Sequence, residues 1–165
     1  MKTLIAALAL SLFVAGPSTA EEAKAKGQEV KYEIHTGHFQ KNDAGLKGDA
    51  SYLVFTDRDA FDKVFGQVPP LGGMEKPFDY VPKGAFEKDL VVAVIKRGKT
   101  TTEYKVDKVT QDDGTLYVQY TAKPKGKEGS AMFASPLIIS VPKDKYRSVV
   151  FLENGKEVEK VKVEK

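Results

Sequence analysis

The chain has 165 residues, no Cys, no Trp, and 26 basic against 23 acidic side chains. Zero Cys excludes disulfides, thiolate metal sites, a cysteine nucleophile and a lipid-modified cysteine. The basic side chains are Lys interleaved with acids, with only Arg58, Arg97 and Arg147 besides; that is a solvated surface rather than a nucleic-acid site, where the Arg fork is favoured.

Met1-Lys2 is a short positive start, and Leu4 to Ala15 is apolar apart from Ser11. Gly16-Pro17 breaks a helix, and Ser18-Thr19-Ala20 supplies the small residues of a cleavage site. This plan predicts a secretory signal peptide over residues 1–20. A membrane span needs about 20 apolar residues, and this run is shorter. Only Lys2 is charged here, so the chain without it keeps a net charge of about +2. The mature chain is expected to be exported, to a periplasm or the extracellular space, with no transmembrane segment. Without Cys in an oxidising compartment, its stability has to come from packing alone.

Residues 21–28 are charged and read as a disordered leader; residues 29–165 read as a single β-rich domain. Tyr32 and Ile34 alternate with charges and predict a half-buried strand. Lys41 to Gly48 is a polar loop, and Ala50 to Phe55 a second strand. Thr56 to Gly66 is the one clear helix signal. Thr56 or Asp57 can cap it, acids fill the first turn, and Phe61, Val64 and Phe65 share one face. Gly66 is expected to end it in the left-handed conformation.

Residues 67–84 hold four prolines and three glycines and predict a long loop, with Phe78 and Tyr80 packing part of it down. Leu90 to Ile95 is apolar at both parities, the pattern of a central strand covered on both faces. Tyr104 and Val106 lie on one parity and Val109 on the other, which predicts a bulge. Asp113-Gly114 and Asn154-Gly155 are hairpin turns. Leu116, Val118 and Tyr120 alternate between them. Met132 to Val141 is a strand whose Pro136 portion belongs at an edge or bulge. Val149 to Leu152 is a second doubly buried strand, and Glu157 to Val163 a charged edge strand. The expectation is an α+β fold: a mainly antiparallel β-sheet of about eight strands with one short helix on a sheet face.

No catalytic motif emerges. His35 and His38 are three apart, so in one strand they face opposite ways and cannot share a metal. Asp43 or Asp49 could join them only through a loop. Asp57, Asp59 and Asp62 do not form a calcium loop, because Phe61 and Val68 fall where ligands are needed. No serine lies in a Gly-x-Ser-x-Gly motif. Lys96-Arg97-Gly98-Lys99 and Lys123 to Lys127 would make a basic rim if the two loops meet.

Residues 86–155 resemble the PrcB C-terminal domain, a domain of exported accessory subunits of bacterial protease complexes. The resemblance is carried by Leu90-Val91-Val92-Ala93-Val94, Gly98-Lys99, Tyr104-Lys105-Val106, Leu116-Tyr117-Val118 and Ser135 to Lys143. Thr102-Glu103 stand where the family often has Gly-Gly before the aromatic residue. The resemblance implies a small extracytoplasmic module that supports or binds another protein, and it transfers no catalytic residue. The reading is a non-enzymatic exported binding or accessory module, without cofactor or metal and without nucleic acid. Its partner would be another exported protein, a protease among the candidates. Its expected interaction surface is a strand edge or the 67–84 loop, with Phe78, Tyr80, Lys96, Arg97 and Lys99. One alternative is a small-ligand or lipid module with Phe39, Phe55, Phe78, Tyr80 and Phe133 around a cavity. The other is a hydrolase built on His35, His38 and nearby acids.

Overall fold

The computed structural model describes residues 27–70 and 78–164. The expected signal peptide (residues 1–20), residues 21–26 of the expected leader and residues 71–77 of the loop lie outside the described residues. In chain order come β1 (Gln28–Glu29), β2 (Glu33–His35), β3 (His38–Gln40), β4 (Ala50–Phe55), α1 (Arg58–Val64) and β5 (Phe65–Gln67). Then follow α2 (Ala85–Lys88), β6 (Asp89–Gly98), β7 (Thr101–Asp112), β8 (Thr115–Lys125), β9 (Phe133–Pro142), β10 (Ser148–Glu153) and β11 (Lys156–Lys162). The fold is mainly antiparallel β, broadly α+β with little helix.

An outer sheet has the order β1-β7-β8-β10-β11, an inner sheet β2-β9-β6-β4, and β3 pairs with β5 alone. The two large sheets bury a common core. Leu90, Val92 and Val94 of β6 and Leu137, Ile139 and Val141 of β9 meet Leu116, Val118 and Tyr120 of β8 and Val149 and Phe151 of β10. The alternate residues Val91, Ala93 and Ile95 turn the other way. They pack with Ile138 against Phe55, Phe61, Phe65, Val81 and Phe86. The continuous apolar run of β6 therefore has its cause: it lies between β9 and β4, with a layer on each face. Val149 to Leu152 is buried throughout as well. Val150 and Leu152 belong to neither core cluster; their register neighbours are Tyr117, Lys160, Gln119 and Glu157, side chains long enough to fold over them.

Several expectations hold in detail. Asp57 caps α1, its carboxylate accepting the Ala60 N–H at 2.8 Å. The β7–β8 register shifts between Val106 and Lys108, the predicted bulge. Asp113 and Asn154 take positive φ of 41° and 51° in the two hairpin turns. Pro136 lies beyond the reach of β2, which pairs only with Ile138 to Ser140.

Four expectations need correction. Among the described residues the strands number eleven, not about eight; β1, β3 and β5 are two or three residues long, too short to show a period. The described residues hold two helices rather than one, the second a single turn with no side-chain cap. Gly66 does not end α1 in the left-handed conformation: Phe65 is already extended, and Gly66 is inside β5. Its reason to be glycine is contact, since a Cβ there would stand 2.5 Å from the Phe39 ring. Finally, Gln28 pairs with Gln111, so β1 reaches one residue into the expected leader. One pair is parallel, β8 with β10, because β9 crosses to the inner sheet between them.

Candidate functional site

The two histidines do not share a strand. Thr36-Gly37 interrupts the chain between β2 and β3, with Gly37 at φ 74°. Both imidazoles are buried, not at the surface. His35 Nε2 is 2.8 Å from Ser140 Oγ on the adjacent strand. His38 Nε2 accepts the Val81 N–H at 3.1 Å, so the proton of the neutral ring sits on Nδ1. That Nδ1 is buried toward the Gly66 carbonyl without reaching hydrogen-bond geometry. Burial holds both rings below the usual imidazole range; nearby Glu33 and Asp79 oppose this at His35, and the Gly66 carbonyl opposes it at His38. Asp43 and Asp49 do not converge on them. Asp43 lies beside Lys41, Asp59, Asp62 and Lys63, and the Asp49 carbonyl accepts the Arg97 N–H. Among the described residues, no three His, Asp or Glu side chains are placed to hold a metal ion.

Phe78 and Tyr80 pack onto the Gly37 turn. A Cβ on Gly37 would fall 2.4 Å from Phe78 Cβ and 2.7 Å from Tyr80 Cε1. Tyr80 also meets His38 edge-on and donates its hydroxyl to the Val68 carbonyl at 2.6 Å. These two aromatics fasten the returning chain to β2 and β3. Thr36 completes the attachment, giving its N–H to the Asp79 carbonyl and accepting the Asp79 N–H at Oγ1.

The basic turn is divided in its use. Arg97 donates to Gln40 Oε1 at 2.9 Å, to the Gly48 carbonyl at 3.1 Å and to Ser51 Oγ at 3.1 Å, so its guanidinium binds the β3–β4 loop. Lys96 pairs with Glu153 at 2.5 Å, and Glu153 also accepts the Tyr120 hydroxyl at 3.0 Å. Tyr104 gives its hydroxyl to the Ser135 carbonyl and accepts the Lys96 N–H. Burial raises the phenols of Tyr52, Tyr104 and Tyr120, with Glu153 adding to it, so none of the three serves as a base near neutral pH. Lys96 and Glu153 are 57 residues apart, and no local pattern announced them. Lys99 alone of the basic turn is exposed. The two basic segments do lie together: Thr101, just after Lys99, pairs with Lys125 in the β7–β8 ladder, and a Gly129 N–H bonds the Lys99 carbonyl at 3.1 Å.

The five aromatics considered for a ligand cavity are scattered. Phe55 is in the closed aromatic core, Phe39 lies over Gly66, Phe78 and Tyr80 pack on Gly37, and Phe133 stands opposite Gly98 at the far end of β6 from Phe55. A groove of about 830 Å³ does open near the β7–β8 turn, lined by Leu90, Tyr146, Lys143, Lys145 and Arg147. Two of its cations are held by the chain itself: Lys143 by the Phe86 carbonyl and Arg147 by Asp113.

The free strand edges differ. β11 has the sequence Lys-Glu-Val-Glu-Lys-Val-Lys, which discourages pairing. β2 is three residues long, and Asp79 bonds the adjoining Thr36. β4 is six residues, Ala-Ser-Tyr-Leu-Val-Phe, without charge, Pro or Gly. Asp49 and Arg97 form a hydrogen-bonded pair, so Ser51, Leu53 and Phe55 face β6 and the main chains of Ala50, Tyr52 and Val54 face outward. β11 runs beside β4 across the mouth of the sandwich, with no main-chain hydrogen bond between them among the described residues.

No described helix is long and apolar enough to cross a membrane. No family model, curated protein or solved structure matches the chain.

Proposed function

We propose that this chain is an exported accessory module that acts by binding another exported protein, not by catalysis, and that β4 is the binding edge. The observation that carries the reading is the uncharged β4 edge, with three outward main-chain positions. An extended segment of a partner adds to such an edge through main-chain bonds, while side-chain pockets give selectivity. The polar chemistry of the interior supports the non-catalytic half: His35, His38, Lys96, Glu153 and Arg97 are each engaged with this chain's own groups. The resemblance of residues 86–155 to the PrcB C-terminal domain points the same way, with a protease complex as the partner class. The signal-like residues 1–20 supply the route out of the cytoplasm.

The test is affinity capture from the exported fraction of the producing cell, with the unaltered chain and with Ala50→Pro. Proline removes an N–H that faces away from β6, so the inner sheet keeps its ladder. A specific partner that the unaltered chain enriches and Ala50→Pro loses is the expected result. Enrichment of nothing, or turnover of a hydrolase substrate panel by the purified chain, sinks the proposal.

A further inference from the structure

We propose that the end of the sandwich made by the β6–β7 turn and the β8–β9 loop is a docking tip for an anionic lipid surface. The Gly129–Lys99 bond joins the two segments into one tip. Met132 and Phe133 stand out from it, 66% and 41% exposed. Phe133 lies opposite Gly98, which has no side chain to cover it. Lys99, Lys123, Lys125 and Lys127 are exposed around them. Glu103 and Glu128 are the acids of these two segments, and Asp49 and Glu153 lie beside them; Glu103 pairs with Lys125 at 3.0 Å and Glu153 with Lys96, so Lys99, Lys123 and Lys127 outnumber the acids left over.

Two adjacent apolar side chains inside a ring of lysines suit an interface between head groups and acyl chains. The apolar pair enters the boundary, and the ammonium groups stay at the level of the anionic head groups. A protein partner fits this composition less well, because the buried centre of a protein interface is depleted in Lys. The other exposed large apolar residues lack the combination. Ile34 stands next to Glu33, Val158 lies between Glu157 and Glu159, and Phe39 covers Gly66. The tip does not depend on the β4 reading, since it uses other residues and another ligand chemistry.

The test is co-sedimentation of residues 21–165 with vesicles. This form keeps every described element, since β1 starts at Gln28, and it omits the apolar run of residues 4–15, which would bind lipid by itself. Vesicles of phosphatidylcholine containing phosphatidylglycerol are compared with phosphatidylcholine alone. Binding is expected on the anionic vesicles at low salt, falling as salt screens the lysines. Met132→Ser with Phe133→Ser, both exposed, should weaken it about tenfold. Lys99→Gln with Lys127→Gln should do so by about the same factor. Ala50→Pro should bind like the unaltered chain, which separates this proposal from the β4 edge. Melting temperatures matched to the unaltered chain show that the tip variants remain folded. Absence of binding to anionic vesicles at low salt overturns the proposal. So does equal binding to phosphatidylcholine alone, or binding that either pair of substitutions leaves unchanged.

Discussion

The two faces of the inner sheet bury different kinds of core. Toward the outer sheet the packing is mostly aliphatic, assembled from alternating residues of long strands, with Phe151 and Tyr146 among them and Tyr120 reaching Glu153 at the rim. Toward the helices it is aromatic, and each ring comes from a different element: Phe55 from β4, Phe61 from α1, Phe65 from β5 and Phe86 from α2. Phe61 is the hub, with ring centroids 5.4, 4.9 and 5.6 Å from Phe55, Phe65 and Phe86 and 5.2 Å from His38. The sandwich core rests on main-chain ladders that would hold its strands in register even with one side chain lost. The aromatic core has no long ladder across it; its short segments are joined by side chains and a few main-chain bonds, such as the three-residue β3–β5 pairing and Thr36 N–H to the Asp79 carbonyl. Arg58 shows the type of tie it uses, pairing with Asp62, donating to the Val81 carbonyl and lying over the Phe61 ring.

The largest expected effect follows from that difference. Phe61→Ala should destabilise the chain by about 3–5 kcal/mol, the usual cost of emptying a buried aromatic site. Amide exchange should show the loss concentrated in α1, β3, β5 and residues 78–88, while β7, β8 and β10 stay protected. Uniform loss of protection through both sheets would show instead that the two cores unfold as one unit, and the comparison would fail.

The aromatic face also holds both histidines, and this gives a difference in pH response. Each imidazole is held below its ordinary pKa of 6.5 by burial. The unfolded chain then binds more protons than the folded one between the folded pKa and 6.5. The contribution of the neutral rings is complete above 6.5 and is lost as pH falls through the folded value. Protonation of His38 is worse than a loss of solvation, because its Nε2 could no longer accept the Val81 N–H. Denaturant midpoints should therefore fall as pH drops from neutral to 5. His38→Gln, which keeps an acceptor without titrating, should remove about half of the histidine part of that slope. An unchanged slope in His38→Gln would take pH sensitivity away from this face.

The same contrast governs what was legible in the sequence. β8 was readable because its burial repeats every second residue, β6 and β10 because their apolar runs are continuous, β11 because valine alternates with charge, and both hairpins because Asp113-Gly114 and Asn154-Gly155 satisfy a local backbone demand. The helix-side layer was mostly hidden. β3 and β5 have three residues each, and their reason to pair is the fit of Phe39 over Gly66 from distant parts of the chain. The site suffered likewise. Arg97 and Lys96 read as free charge in a turn, yet their partners Gln40, Gly48, Ser51 and Glu153 become neighbours only when the sheet forms. The histidines are separated for a smaller reason: strand parity applies only within one strand, and Thr36-Gly37 ends β2 before His38. The uncharged character of Ala50 to Phe55 was visible; its position at an edge was not, because strand order is set by long-range pairing.

The smallest expected effect tests the sandwich side of the comparison. Tyr120 is fully buried, and its hydroxyl reaches Glu153 at 3.0 Å while Lys96 holds the other carboxylate oxygen at 2.5 Å. Tyr120→Phe keeps the ring and removes one of these two bonds, so Glu153 retains its ion pair. The cost should be about 0.5–1.5 kcal/mol, that of one hydrogen bond. Lys96→Met removes the charge instead and leaves the mostly buried Glu153 carboxylate without its cation; it should cost more than Tyr120→Phe. Denaturant melts of both variants at neutral pH check this order. If both variants melt like the unaltered chain, the rim network contributes little. The sandwich would then owe its stability to aliphatic packing and strand pairing, which widens its contrast with the aromatic face.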